Sequence, residues 1–164
     1  MVRLRPMRLD DVDALHRWDE DEAVVAALGG PGADWYDWPT ELARRVPWRE
    51  LLIAEEHGRP IGFVQLIDAR EEESHYWGDV QAGTWALDIW IGSPDDRGRG
   101  LGRTLMNLAT ARIFDEHGAT TVLIDPKVTN ERAIAFYRRI GFVDVEVRRF
   151  GDDESLVMRL DRDD

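Results

Sequence analysis

Apolar positions recur along this chain with two periods, and together they outline an ordered series of strands and helices. Val2-Arg3-Leu4-Arg5-Pro6-Met7 alternates apolar and basic residues and predicts a first strand. Asp10 then stands as the cap of a helix with Val12, Leu15 and Trp18 on one stripe and acids in its first turn. A second short helix, about Glu20 to Leu28, ends at the breaker Gly29-Gly30-Pro31-Gly32. Trp35-Tyr36-Asp37-Trp38-Pro39 follows, and a further short helix is expected from Thr40. Leu51 to Glu56 and Pro60 to Asp68 flank His57-Gly58-Arg59 and read as a hairpin. The linker Ala69 to Gly83 is acidic, with Glu71-Glu72-Glu73 read as a solvated loop and the aromatic stretch His75-Tyr76-Trp77-Gly78-Asp79 beside it.

The most apolar strand is Thr84-Trp85-Ala86-Leu87-Asp88-Ile89-Trp90-Ile91. A period of two places Trp85, Leu87, Ile89 and Ile91 on one face and Ala86, Asp88 and Trp90 on the other. An acid in the middle of such a strand is costly unless paired, wet or functional. Downstream, Leu101, Leu105, Leu108 and Ile113 predict a helix ending near His117-Gly118. Thr121 to Ile124 is a short strand stopped by Asp125-Pro126. Thr129 or Asn130 caps a helix carrying Ala133, Phe136, Tyr137 and Ile140, and Phe142 to Phe150 with Glu154 to Leu160 form a last hairpin. The strand–helix–strand units after residue 84 predict an α/β mixed sheet with at least one parallel pair, flanked by helices.

A length of 164 residues, 43% hydrophobic, suits one domain spanning 1–164. The absence of cysteine excludes disulfides, a thiolate metal site and a thiol nucleophile, and no metal site is expected. With neither a signal-like segment nor a long apolar run, the expectation is a soluble cytoplasmic protein without a membrane partner. A monomer or a homodimer is expected, and the sequence does not choose between them. The net charge of −12 disfavours nucleic acid as a partner. It suits a cationic small molecule, and it equally serves solubility.

Between the apolar strand and the next helix lies Arg97-Gly98-Arg99-Gly100-Leu101-Gly102-Arg103. Strand, glycine-rich basic loop, helix start is the order of an anion-binding turn, in which glycines admit a close backbone and the helix terminus offers unpaired N–H groups. No Gly-Lys-Ser/Thr follows, so it is not a Walker A loop. As a dinucleotide fingerprint it is poor, because Arg103 takes the third glycine's place, although Asp125 could mimic that fold's ribose-binding acid. In the remaining reading, Arg97-x-x-Gly100-x-Gly102 resembles the R/Q-x-x-G-x-G/A signature of the GNAT (GCN5-related) N-acetyltransferases. There the loop holds the pyrophosphate of acetyl-CoA. A second stretch, Asn130-x-x-Ala133-x-x-x-Tyr137-x-x-x-Gly141-Phe142, resembles the same family's N-x-x-A-x-x-x-Y-x-x-x-G-F segment. On physical grounds, Ala133 and Tyr137 share a helix face, and a small residue below a phenol leaves room for an extended thioester arm.

The whole chain resembles the aminoglycoside 6′-N-acetyltransferases of the type Ib kind, on the strand–helix order, Pro60-Ile61-Gly62-Phe63-Val64-Gln65, the acidic aromatic loop, Leu87-Asp88, Ile124-Asp125-Pro126 and Thr129-Asn130. It departs from them at Ala26-Ala27-Leu28-Gly29-Gly30, where that group has paired tryptophans, so the pocket is altered on that side. The resemblance implies the GNAT fold and an acetyl-CoA co-substrate, held by Ile89, Trp90, Ile91, Arg97, Gly98, Arg99, Gly100, Leu101, Gly102, Arg103, Asn130, Ala133 and Tyr137. It implies acids at Asp88 and Asp125 facing an aminoglycoside-like amine. Trp77 is a further candidate for the acceptor side, and the segments Trp35 to Trp38 and His75 to Asp79 read as walls of a small-molecule pocket, although any one of the three aromatics at 35–38 could equally plug the core's edge.

The expected chemistry is direct acetyl transfer to a primary amine. Asp88 would attract the ammonium and take its proton, and Tyr137 would assist the departing thiolate. The resemblance implies a backbone N–H beside Asp88 to polarise the thioester. A protein N-terminus, a lysine or another amine metabolite is an alternative acceptor, and a non-catalytic acetyl-CoA sensor is a third reading.

Overall fold

The computed structural model describes residues 1–28 and 37–163, with backbone alone for 26–28. Strands β1 (Val2–Pro6), β2 (Arg49–Glu56), β3 (Arg59–Asp68), β4 (Thr84–Ile91), β5 (Thr121–Ile124), β6 (Val143–Phe150) and β7 (Asp153–Asp161) form one seven-stranded sheet in the order β1-β2-β3-β4-β5-β7-β6. Every neighbouring pair is antiparallel except β4 and β5, which are parallel. The helices are α1 (Val12–Asp19), α2 (Glu22–Leu28), α3 (Trp38–Ala43), α4 (Leu101–Ala111) and α5 (Glu131–Arg139).

The faces of β4 follow the alternation. Trp85 and Leu87 pack with Leu101, Leu105 and Met106 of α4, and Ile89 and Ile91 border the same core. On the opposite face Trp90 lies over its cross-strand partner Phe63, ring centroids 4.4 Å apart, beneath Trp38, Leu15 and Trp18. A third, small core joins Ala69, Trp77, Ala86 and Val157. Asp88 thus sits on the second face between Ala86 and Trp90, each the property of a different core.

Capping chemistry moved several helix starts. Leu9–Asp11 form a 3-10 turn, and Asp11, not Asp10, precedes α1. The buried Asp11 accepts from the Arg8 N–H at 2.7 Å and is bracketed by the Arg5 guanidinium, two bonds of 2.7 Å. α2 starts at Glu22 because Asp21 Oδ1 accepts from the N–H groups of Ala23 and Val24. α3 starts at Trp38, ahead of Thr40, because Asp37 caps the Thr40 N–H and hydroxyl, and Pro39 fits the first turn. α4 closes through a wider π turn over Arg112–Glu116 before Gly118. The expected breaker at Gly29–Gly32 and the aromatics Trp35 and Tyr36 lie outside the described residues. Among the described residues no helix is long and apolar enough to cross a membrane, and no group of His, Cys, Asp and Glu is placed to hold a metal.

Candidate active site

The site begins where the parallel pair comes apart. β4 and β5 share only three register pairs, Thr84–Ala86 against Thr121–Leu123. β5 ends at Ile124, its register with β4 ends one residue earlier, and among the described residues the chain beyond stays paired only to β7, with Leu156 N donating to Pro126 O at 2.9 Å. β4 runs on to Ile91 beside β3 alone. The Gly92 N–H donates to Ile61 O at 2.9 Å and Thr84 O accepts from Ala69 N at 3.0 Å, so even-numbered residues turn their backbone groups to β3. Odd-numbered ones turn away from it. The backbone groups of Ile89 and Ile91 therefore open into a gap.

That gap is a cleft of about 580 Å³, its mouth included. Asp88, Ile89 and Trp90 line one wall. Ile124, Asp125, Pro126 and Lys127 line the other, with Asn130, Ala133 and Tyr137 of α5. The acids at 88 and 125, distant in sequence, thus face one space. Gln65, opposite Asp88 on β3, donates from Nε2 to Asp88 Oδ2 at 2.8 Å. Burial raises the Asp88 carboxyl above its ordinary value against that hydrogen bond. Asp125 accepts a short hydrogen bond from the Tyr76 hydroxyl. Burial, aided by the charge of Asp88, pushes Asp125 up to about 7. Burial and both carboxylates push the Tyr137 phenol up to about 12.

Trp77, the expected wall residue, does not line this cleft. It is 6% exposed in the third core and meets Phe150 edge-on at 5.9 Å. Its neighbour Tyr76 stacks on Phe150 at 4.3 Å and reaches Asp125. The twisted turn around them, with His75 at φ 52° and Gly78 at φ 75°, decides which ring faces out. Tyr76 belongs to the aromatic segment read as a pocket wall and Gln65 to the quoted resemblance, but neither the role of these two residues nor Lys127 is specified by the sequence. Only the aromatic run and the strand register could have pointed to them.

The glycine-rich loop follows at the N-terminus of α4. Gly98 and Gly100 adopt φ of 75° and 76°, and a Cβ on either would meet nothing within 4 Å. Glycine serves the left-handed backbone there, and space lies above it. Gly100 caps α4 without a side chain, and Thr104 is the first of the helix to donate back, to Gly100 O at 3.3 Å. The turn before it leaves N–H groups for a ligand. Leu101 anchors the turn in the main core. Two of the loop's arginines are engaged elsewhere. Arg97 donates to Asp21 at 2.8 Å and to Gly92 O at 3.3 Å. Arg99 binds Asp96 at 2.9 Å and Glu56 at 3.0 Å, and Asp96 is held by both terminal nitrogens of Arg59. Arg103 is exposed. A Cβ on Gly102 would lie 3.6 Å from Phe136 and 4.0 Å from Ile91, so the start of α4 adjoins α5 and the end of β4. At the start of α5, Asn130 Oδ1 accepts from Ala133 N at 3.2 Å and caps the helix, and both residues line the cleft.

Comparison with known proteins places this geometry. The acetyltransferase (GNAT) domain matches residues 8–150. Aminoglycoside N(6′)-acetyltransferase type 1 of Klebsiella pneumoniae is 26% identical over 151 residues, covering 86% of this chain and 73% of that protein. Mycothiol acetyltransferase of Saccharomonospora viridis is 27% identical over 138 residues, 77% of this chain and 44% of that one. Among solved structures, aminoglycoside acetyltransferase AAC(6′)-Ib in complex with coenzyme A superimposes with a TM-score of 0.85 at 26% identity, covering 99% and 95% of the two chains. Spermidine N-acetyltransferase of Vibrio cholerae, solved with CoA and spermine, shares the fold at a TM-score of 0.77 and 21% identity, over 97% and 94%. With a domain match running from residue 8 to residue 150, the chain belongs to the GNAT family of acetyltransferases.

Proposed function

We propose that this protein transfers an acetyl group from acetyl-CoA directly to a primary amine of a cationic, aminoglycoside-like small molecule. One observation carries the reading: Asp88, Asp125 and Tyr137 meet in a single cleft beside the unpaired backbone of β4. The residues suit acetyl-CoA as co-substrate. The glycine turn and the start of α4 would take its pyrophosphate, and Asn130, Ala133 and the edge of β4 its extended arm. Its thioester brings an already activated acyl group. AAC(6′)-Ib has been solved with coenzyme A and kanamycin at 26% identity, which supports this choice of acceptor.

Asp88 attracts the substrate ammonium and takes a proton from it, directly or through water. Its raised affinity for protons makes it a stronger base than a free carboxylate. The Ile89 N–H, turned into the gap, is placed to stabilise charge on the thioester oxygen. Tyr137 keeps its proton at neutral pH because its phenol titrates near 12, and it hydrogen-bonds or protonates the departing thiolate. Asp125, positioned by Tyr76, anchors a second amino group. The chain has no cysteine, which leaves no thiol for an acyl-enzyme.

The test is thiol release from acetyl-CoA over a panel of aminoglycosides, polyamines and peptides. Fastest turnover with acceptors bearing several amines is expected. Preference for peptide N-termini or lysines would overturn the small-molecule acceptor. Binding of acetyl-CoA without turnover on any amine would make the protein a sensor.

A further inference from the structure

The chain contains one lysine, Lys127, against twenty arginines. That lysine lines the cleft with Asp88, Asp125 and Tyr137. The backbone around it is extended. Lys127 bridges Ser155, Leu156 N donates to Pro126 O at 2.9 Å, and Val128 N donates to Glu154 O at 3.0 Å. In extended chain, residues two apart share a side, so Lys127 lies on the side of Asp125. Among the described residues its ammonium pairs with one carboxylate, that of the half-exposed Asp153 at 3.4 Å. The four-carbon stem is flexible. A primary aliphatic amine is thus tethered in the wall of a site built for primary amines.

We propose that Lys127 is a site of self-acetylation, an inference that rests on the acetyl-CoA reading above. The Lys127 ammonium leaves Asp153 and gives one proton through Asp125 or Asp88 to water. The neutral nitrogen attacks the thioester carbon, so a C–N bond forms and the C–S bond breaks. The second proton passes to the departing thiolate, giving coenzyme A as thiol and Lys127 as a neutral amide. Tethering replaces a bimolecular encounter by an intramolecular one. The product removes a positive charge from a wall that carries two carboxyls, and it dissolves the contact with Asp153.

The single lysine makes the test clean. The intact protein is incubated with acetyl-CoA and no acceptor, then examined by intact mass and peptide mapping, with acetyl-CoA binding followed by calorimetry. The expected result is one added acetyl group on Lys127, at a rate per molecule independent of protein concentration. It should be absent in Lys127→Arg, and at least tenfold slower in Asp88→Asn and in chain unfolded in urea. Acetyl-CoA binding with an unmodified Lys127 would overturn self-acetylation while leaving transfer to added amines intact. Absence of acetyl-CoA binding would overturn both. Equal modification of unfolded chain would identify ordinary chemical acetylation and overturn the proposal, as would a rate that grows with protein concentration.

Discussion

At the scale of single residues, the acids and the phenol should separate by what each mutation leaves in place. Tyr137→Phe keeps the ring and removes the hydroxyl, so kcat should fall, by roughly 10²–10⁴ if the phenol acts as general acid, with little change in KM for acetyl-CoA. Steady-state kinetics with both substrates varied would show it. Full kcat would make Tyr137 a packing residue. Asp88→Asn should lower kcat/KM for every amine. Asp125→Asn should penalise acceptors with several amines more than those with one. A charged contact of this kind is worth roughly 1.5–3 kcal/mol, about a tenfold effect or more. Asp125 also sets a pH dependence. Its carboxyl titrates at about 7, so kcat/KM for a polycationic acceptor should rise as pH passes through neutrality. Asp125→Asn should flatten that limb of the profile, and an unchanged limb would assign the titration to another group.

At the scale of elements, the loop before α4 is held in shape by its own Arg97 and Arg99, which leaves its backbone as the proposed phosphate cradle. Gly100→Asp places a carboxylate where phosphates should lie and imposes a φ of 76° on a side chain. Calorimetry should record a steep loss of acetyl-CoA affinity with the fold retained. Asp21 belongs to the same device from the other side, since one oxygen caps α2 and receives Arg97. The Arg97 guanidinium holds the Asp21 carboxyl below its ordinary value. Asp21→Asn should therefore raise KM for acetyl-CoA more than it lowers kcat, by loosening the loop. Unaltered KM would reduce the pair to a surface contact. The seat of α1 is a matter of volume. A Cβ on Gly92 would fall 2.0 Å from the Trp18 indole. Overpacking costs typically about 1–3 kcal/mol, so Gly92→Ala should lower Tm measurably.

Over the whole molecule, two sets of carboxyls oppose each other in pH. The partnered acids, Asp96 beside Arg59 and Glu55 beside Arg5, have carboxyls held below their ordinary values. Their contribution is present above the unfolded value and is lost as pH falls through the folded one. Asp125 has the opposite sign. It contributes most below 3.8, and that contribution is lost as pH rises to about 7. Tm should accordingly peak in the mildly acidic range and decline toward neutrality. In Asp125→Asn the neutral-side decline should shrink, and a Tm still climbing at neutral pH would contradict the assignment.

Much of this was legible in the chain itself because it is local. Alternation along residues 84–91 set the two faces of β4, and the spacing of Ala133 and Tyr137 put both on the cleft side of α5. Glycine at 98 and 100 answered a backbone demand that no L side chain meets cheaply. These are relations between residues two, three or four apart, which strand and helix geometry dictate. Register and turns between distant segments are not encoded that way. The family resemblance set Asp88 and Asp125 toward one acceptor, but only the fold decided how, by letting β4 outrun β5 so that both acids line one cleft. It sent Arg97 and Arg99 to Asp21, Glu56 and Asp96 rather than outward to a ligand. It also sent the Tyr76 hydroxyl to Asp125 and packed Trp77 into the third core, where the larger apolar indole removes more surface from water.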